Sequence, residues 1–458
     1  MIDNMQLSKE NSTIIVYDRF NSLVSIVSIL FLCISYSFVS SVHIGLGLIF
    51  IYIIGILFLR LWTKSRFISN IFNLFFCIYG LYLLLTQIVF INGIQDGYFF
   101  HIDASKSFFY QTELYIDGAS WSNLLQHCML IYPDYPFAQV IFSGWWLIGE
   151  QIGVDLSQVR FFLRIQDLFF GPFILSIIAL YLRENNFDKV QILRLCLLFG
   201  LFSYLLITSV IFSRDLHVAF FYTLLGYYSL SNEKHKFIYL KFFVLILLVA
   251  GFRIENGLFA ICFPLYYYYR YRKFTQLTYL TIFLVAVVFI LSGGLTLFLN
   301  MRDAFNEHTV SLGDGLYNKF NSLPFPLNMF FNSIYSYISP FPFIQYIADP
   351  NAGLFAITSI VSPFLRVVML LTVAIFIKRN HTDFTTKLMF AIIIVYICSC
   401  SLIEPNLRRT FAIVPILFMV FCTKFYLLNR ITRNNIIKIA VASLLLINLP
   451  ATVFVLIK

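Results

Sequence analysis

The sequence predicts an all-α, polytopic integral membrane protein of about thirteen helical spans, and three observations lead there. Of its 458 residues 60% are hydrophobic and 12% charged, whereas a soluble chain of this length carries about a quarter charged residues. Mean hydropathy is +0.84. Long uncharged runs recur from end to end, punctuated by short basic clusters, so lipid is the expected solvent for most side chains.

A window of about twenty residues locates the runs at 22–39, 44–60, 69–91, 162–182, 192–212 and 216–231. They continue at 237–250, 256–269, 277–298, 355–377, 385–403, 410–428 and 436–456. The two flanking residue 253 are short enough to need a thinned bilayer. Residues 1–20 are polar and end in Asp18-Arg19 before the first run, so a cytoplasmic tail is expected there, with no cleavable leader and the first run as its own anchor. With no fixed-period repeat and no low-complexity linker, the expectation is one transmembrane domain over 1–458.

The net charge of +10 does not point to nucleic acid, because the basic residues are scattered at span ends and form no stripe interleaved with aromatics. They report orientation instead. Lys64/Arg66, Arg183/Lys189/Arg194, Lys234/Lys236, Arg270/Arg272/Lys273, Lys378/Arg379 and Arg430/Arg433 all belong inside by the positive-inside bias. The alternate segments then fall outside: the long stretches 93–161 and 299–354 and the turns 213–215, 251–256 and 404–409. Chemistry is expected on that outer face.

Residues 137–150 (FAQVIFSGWWLIGE) are apolar but too short for an ordinary span. Counting them as one would put five basic clusters outside, so a re-entrant or surface-lying helix is expected, with Trp145 and Trp146 at the interface. The Phe- and Pro-rich 325–346 segment has the same standing. Seven of the eight cysteines sit in apolar runs and only Cys128 in a long loop; none has metal-site spacing, and neither disulfides nor zinc are expected.

Four outer turns carry the polar chemistry. The first holds Asp96, His101, Asp103 and Tyr110, and a carboxylate beside a membrane mouth can take a proton from an attacking hydroxyl or hold a divalent cation on phosphate oxygens. Solvated loop acids are the plain alternative. The second, Ser213-Arg214-Asp215, sets two ionisable residues between back-to-back runs, which marks a site unless it is a simple interfacial pair. The third is Arg253-Ile254-Glu255-Asn256-Gly257, and the fourth Glu404-Pro405-Asn406-Leu407-Arg408-Arg409. If these turns converge, carboxylates face Arg253, Arg408 and Arg409. Guanidinium forks grip phosphate, and neighbouring carboxylates serve as base or ligands, which is what a lipid-phosphate substrate requires.

Asp103-Ala104 with Tyr110, then Tyr132-Pro133-Asp134-Tyr135-Pro136 leading to Gly149, then Arg164 opening a run, and Asp215 at a later run start, together resemble the GT-C superfamily of membrane glycosyltransferases. Ser339-Pro340-Phe341-Pro342-Phe343 and Arg408-Arg409 with Pro415 echo weaker patterns of its second half. The resemblance covers residues 90–270 best. It implies a polyprenyl-phosphate or diphosphate sugar donor, a glycan or lipid-linked acceptor, and inverting transfer on the periplasmic face of a bacterial inner membrane. By it, Asp103 is the base or acceptor-positioning group and Asp215 the second acid, both catalytic, while Arg253 with Arg408 or Arg409 holds the donor phosphate. Asp96, His101, Tyr110, Tyr135, Arg214 and Glu255 complete the candidate substrate-binding set. No cofactor is implied beyond a divalent cation, and Ala104 in place of the usual second acid argues against a metal-dependent reaction.

Two other readings remain. An O-antigen or capsule repeat-unit polymerase also has about a dozen spans, long outer loops and outer arginines. A transporter of lipid-linked oligosaccharides would carry broken or polar helices at the membrane midplane and repeat symmetry, neither of which is read here.

Overall fold

A computed structural model of the chain describes residues 24–89, 120–131, 136–155, 158–211, 214–232, 235–271, 323–324, 326–338, 356–379, 383–403 and 407–457. Every regular element among them is a helix. They sort into two compact units, Met1–Phe220 with Asn351–Phe355 and Phe221–Pro350 with Ala356–Lys458.

The first unit holds α1 (Val24–Val39), α2 (Val42–Thr63), α3 (Arg66–Val89), α4 (Leu124–Ile131), α5 (Pro136–Gln151), α6 (Val159–Ile165), α7 (Asp167–Glu184), α8 (Lys189–Phe202) and α9 (Tyr204–Val210). α10 (Arg214–Leu230) carries the chain from this unit into the next. The second unit continues with α11 (Ile238–Phe252), α12 (Ile254–Ala260), α13 (Cys262–Tyr271), α14 (Leu327–Ile338), α15 (Ala356–Arg379), α16 (Phe384–Ile403), α17 (Leu407–Phe411), α18 (Val414–Phe425) and α19 (Arg430–Ile457). Each expected apolar run meets a helix, except 277–298, which lies outside the described residues. Among the described residues, five stretches suit a membrane crossing by length and composition, or six if the bent pair α8–α9 counts as one span. Val24–Val39, Ile238–Phe252 and Val414–Phe425 are apolar but shorter.

In the first unit, α3 and α7 lie side by side, and Phe72 of α3 and Phe58 of α2 pack on Phe169 and Phe173 of α7 with ring centroids 5.3–6.5 Å apart. Buried tyrosines tie the helices through backbone: Tyr36 donates to the Gly80 carbonyl (2.8 Å) and Tyr79 to that of Gly200 (2.9 Å). Such bonds cross an apolar interior because the hydroxyl finds an acceptor there, which burial demands. The run 192–212 is not one helix. It bends by 64° at Ser203, whose backbone is extended and whose hydroxyl caps α9 by accepting from Leu205 N.

α5 corrects one expectation. Trp145 and Trp146 are buried, so the helix is not a surface-lying one with interfacial tryptophans. Trp145 stacks on Phe162 at 4.5 Å with rings nearly parallel, and its indole N–H donates to the Phe162 carbonyl at 2.8 Å. The Phe162 ring in turn lies where side chains on Gly47 and Gly149 would otherwise stand. Gly149 thereby has a packing role, and the turn ending α5 needs glycine at 153, where φ is +87° and the His43 ring covers the Cα. Cys128 lies on α4, buried against Ser143 of α5, and all eight cysteines are free thiols.

Polar contacts mark the helix ends within each unit. In the first, Arg183 donates to Ser65 Oγ (2.6 Å), joining two stretches expected inside. At its other end Ser41 donates to Gln158 Oε1 (2.7 Å), and Thr86, Gln87 and Val210 meet Arg164. In the second unit, Arg270 donates to the Ser229 and Ser231 carbonyls and to Asn232 Oδ1, again within stretches expected inside.

That same end carries a charged cap. Asp383 Oδ1 accepts from Thr386 N at 2.9 Å, which caps α16, while Oδ2 accepts from Lys424 Nζ of α18, also at 2.9 Å. Burial alone would raise the Asp383 carboxyl, but the hydrogen bonds from Thr386 and Lys424 outweigh it and hold the group well below the usual carboxylate range. A carboxyl depressed on folding contributes stability above its unfolded value of about 4 and loses it as the pH falls toward the folded one. Asp383→Asn is therefore expected to lower Tm at neutral pH, with the gap to wild type closing under acid. Thermal unfolding of the detergent-purified chain over a pH series checks this; a gap unchanged by pH would contradict it.

Candidate functional site

The second unit brings together two turns that the sequence places 150 residues apart. α11 ends and α12 begins at Arg253, whose extended backbone donates to the Val249 carbonyl (2.8 Å) and accepts from Gly257 N (3.0 Å). The hairpin closes tightly because Gly257 meets Ala250, leaving no room there for a side chain. Arg253 is held inside the fold, 3% exposed, and Glu255 follows on the first turn of α12.

Arg409, from α17, reaches the same carboxylate. Its Nη1 donates to Glu255 Oε1 at 2.7 Å, a charge-assisted hydrogen bond. Arg253 Nη1 stands 4.0 Å from that same oxygen, too far for a hydrogen bond but close enough for strong attraction in a place with little water. The Arg409 and Glu255 side chains are each 13% exposed. Two guanidiniums thus converge on one carboxylate oxygen.

Beneath the trio lies a layer of neutral polar groups. The Tyr396 hydroxyl, on α16, points at the Arg409 carbonyl (3.0 Å) and at Asn256 Oδ1 (3.3 Å), with one proton to give to either. Tyr222 donates to the Asn256 carbonyl (2.8 Å), and its ring lies 5.4 Å from that of Tyr396. Both segments that carry the charges are thus held through backbone carbonyls, that of Asn256 by Tyr222 and that of Arg409 by Tyr396.

Asp96, His101, Asp103, Tyr110, Tyr135, Glu404 and the side chain of Arg408 lie outside the described residues. Asp215 and Arg214 belong to the first unit, at the start of α10, where a carboxylate suits the positive end of the helix. Asp215 is buried and Arg214 half-buried. Two residues further on, His217 is enclosed between Phe170 (4.1 Å) and Phe142 (5.4 Å). Among the described residues no group of three or more His, Cys, Asp or Glu is arranged to hold a metal ion.

Three features escape the sequence reading. Tyr396 and Asn256 are neutral, and in an apolar context nothing distinguishes them from packing residues. Arg366 carries a clearer signal, being the lone charged residue in the 355–377 run. It is fully buried in α15, with its guanidinium 5.5 Å from the Tyr337 ring and its carbonyl accepting from the Tyr337 hydroxyl at 2.9 Å.

No family model, no curated protein and no solved structure matches this chain. The fold itself defines a class: an all-helical protein with several helices long and apolar enough to cross a membrane.

Proposed function

We propose that the chain is a multi-pass bacterial inner-membrane protein of about thirteen spans and GT-C-like fold that transfers a sugar, with inversion, from a polyprenyl-(di)phosphate donor to a glycan or lipid-linked acceptor on the periplasmic face. The observation that carries this reading is the convergence of Arg253 and Arg409 on one carboxylate oxygen. It lies at the end of the second unit away from Arg270, Asp383 and Lys424, as an outer-face site requires of a chain whose basic loops stay inside.

In this reading the arginines hold the lipid phosphate as it departs. Charge builds on the phosphate oxygens when the bond to the sugar's C1 breaks, and fixed guanidiniums in a poorly solvated place stabilise it without having to reorganise. Phosphate leaves readily, so no acid need protonate it. Asp103 takes the proton of the attacking acceptor hydroxyl, and Asp215 is the second acidic group.

A second reading, the repeat-unit polymerase, draws support from the same convergence of Arg253 and Arg409, the outer arginines it calls for. It differs in transferring a whole glycan chain. Membranes containing the chain, incubated with a radiolabelled polyprenyl-phosphate sugar and, separately, with lipid-linked repeat units, distinguish the two. Addition of one sugar supports the transferase, and a ladder of products supports the polymerase. Uptake of a lipid-linked saccharide into vesicles with no new glycosidic bond would overturn both.

A further inference from the structure

We infer that Glu255 is a tethered stand-in for the substrate phosphate, occupying the Arg409 guanidinium until a lipid phosphate displaces it. This rests on the reading of Arg253 and Arg409 as the phosphate grip, and it assigns Glu255 a role opposite to that of a substrate-binding or basic residue.

The geometry carries it in three steps. Both guanidiniums address one atom, Glu255 Oε1, at 2.7 Å from Arg409 and 4.0 Å from Arg253, so the carboxylate sits where a shared phosphate oxygen would sit. Carboxylate and phosphate are the two anions that match a guanidinium fork, and they cannot share that position. Finally, the backbone around Glu255 is held on both sides: the Asn256 carbonyl accepts from Tyr222 and the Arg253 carbonyl from Gly257 N. Rotation of the Glu255 side chain therefore breaks its bond to Arg409 without moving that backbone.

Exchange of one anion for another also avoids the worst state of such a site. An arginine removed from water and left with no anion is strongly unfavourable, and Glu255 keeps Arg409 paired whenever substrate is absent. Because the carboxylate is attached to the same chain, its effective concentration is high, and singly charged, poorly matched anions do not compete with it. A phosphate, with more oxygens and more charge, does. The device selects against weak anions at the cost of some affinity for the right one.

The sign of the expected effect is the test. Purified full-length chain in lipid nanodiscs is titrated with radiolabelled farnesyl phosphate and with inorganic phosphate, for wild type, Glu255→Gln and Arg409→Gln. Glu255→Gln should bind farnesyl phosphate about tenfold more tightly, the order expected on removing a charged hydrogen-bonding competitor, and Arg409→Gln at least about tenfold more weakly. Equal or weaker binding by Glu255→Gln, with Arg409→Gln impaired, overturns the stand-in role and leaves the phosphate grip intact. Undiminished binding by Arg409→Gln overturns the grip itself. Inorganic phosphate binding as tightly as farnesyl phosphate would refute a lipid ligand. If thermal unfolding shows Glu255→Gln to be misfolded, Glu255→Asp, whose carboxylate is drawn back from Arg409, replaces it; it should also bind more tightly, and equal or weaker binding refutes the inference.

Discussion

Arg409→Ala is expected to reduce sugar transfer by about 10²–10³-fold, the usual loss when one fixed donor to a developing oxyanion is removed. The protein should still reach the membrane in normal amounts. Tyr396 bonds the Arg409 carbonyl and not its side chain, so truncation leaves the local backbone held. Glu255 would lose its 2.7 Å bond and keep Arg253 at 4.0 Å. Arg409→Lys keeps the charge without the planar fork and should recover only part of the rate. Lys236→Ala provides the contrast, since it lies in the stretch that leads into α11 at the end away from Arg253. Transfer measured with a radiolabelled donor, normalised to the amount of protein in the membrane, checks the series. Full activity in Arg409→Ala, or an equal loss in Lys236→Ala, would remove Arg409 from the site.

Much of the architecture is readable in the sequence because hydropathy is a strong signal in a chain with so few charges. The runs fall on helices, and alternation of the basic clusters is enough to set 251–256 and 404–409 at a common end, where the structure joins Glu255 to Arg409. Departures arise where local chemistry overrides an average. The break at Ser203 has no proline to announce it; the serine offers the backbone its own acceptor and thereby ends one helix and starts another. For Trp145 and Trp146 the statistical preference of tryptophan points to an interface. Gly47 and Gly149 instead make space for Phe162, and that ring gives Trp145 a surface to stack on. The division between the units falls within α10, a continuous helix, so no linker composition marks it. The layer of Tyr222, Asn256 and Tyr396 was unreadable for another reason, because its members are ordinary in type and become a set only through distances.

Arg164→Leu should have the largest effect on stability. Arg164 fills the bay between α3, α6 and the end of α9: Nε and Nη2 donate to the Val210 carbonyl at 2.9 and 2.8 Å, Nη2 also to Thr86 Oγ1 at 2.6 Å, and Nη1 to Gln87 Oε1 at 3.3 Å. α9 is only seven residues long, so its last carbonyls have no further turn to bond, and the arginine takes the place of water at Val210. Asp167, fully buried one turn along, also interacts with its charge. Leucine preserves bulk but removes every donor and leaves that carboxylate without the nearby cation. Breaking a buried charged network costs about 3–5 kcal/mol, a large share of the roughly 5–15 kcal/mol that holds a domain folded. Lysine, a single point charge, cannot span the three acceptors and should rescue only partly. Yield and Tm of the detergent-purified variants decide the matter. A Leu variant that melts with wild type would refute this role; loss of the folded chain makes Arg164 the residue that lets α9 end inside the protein.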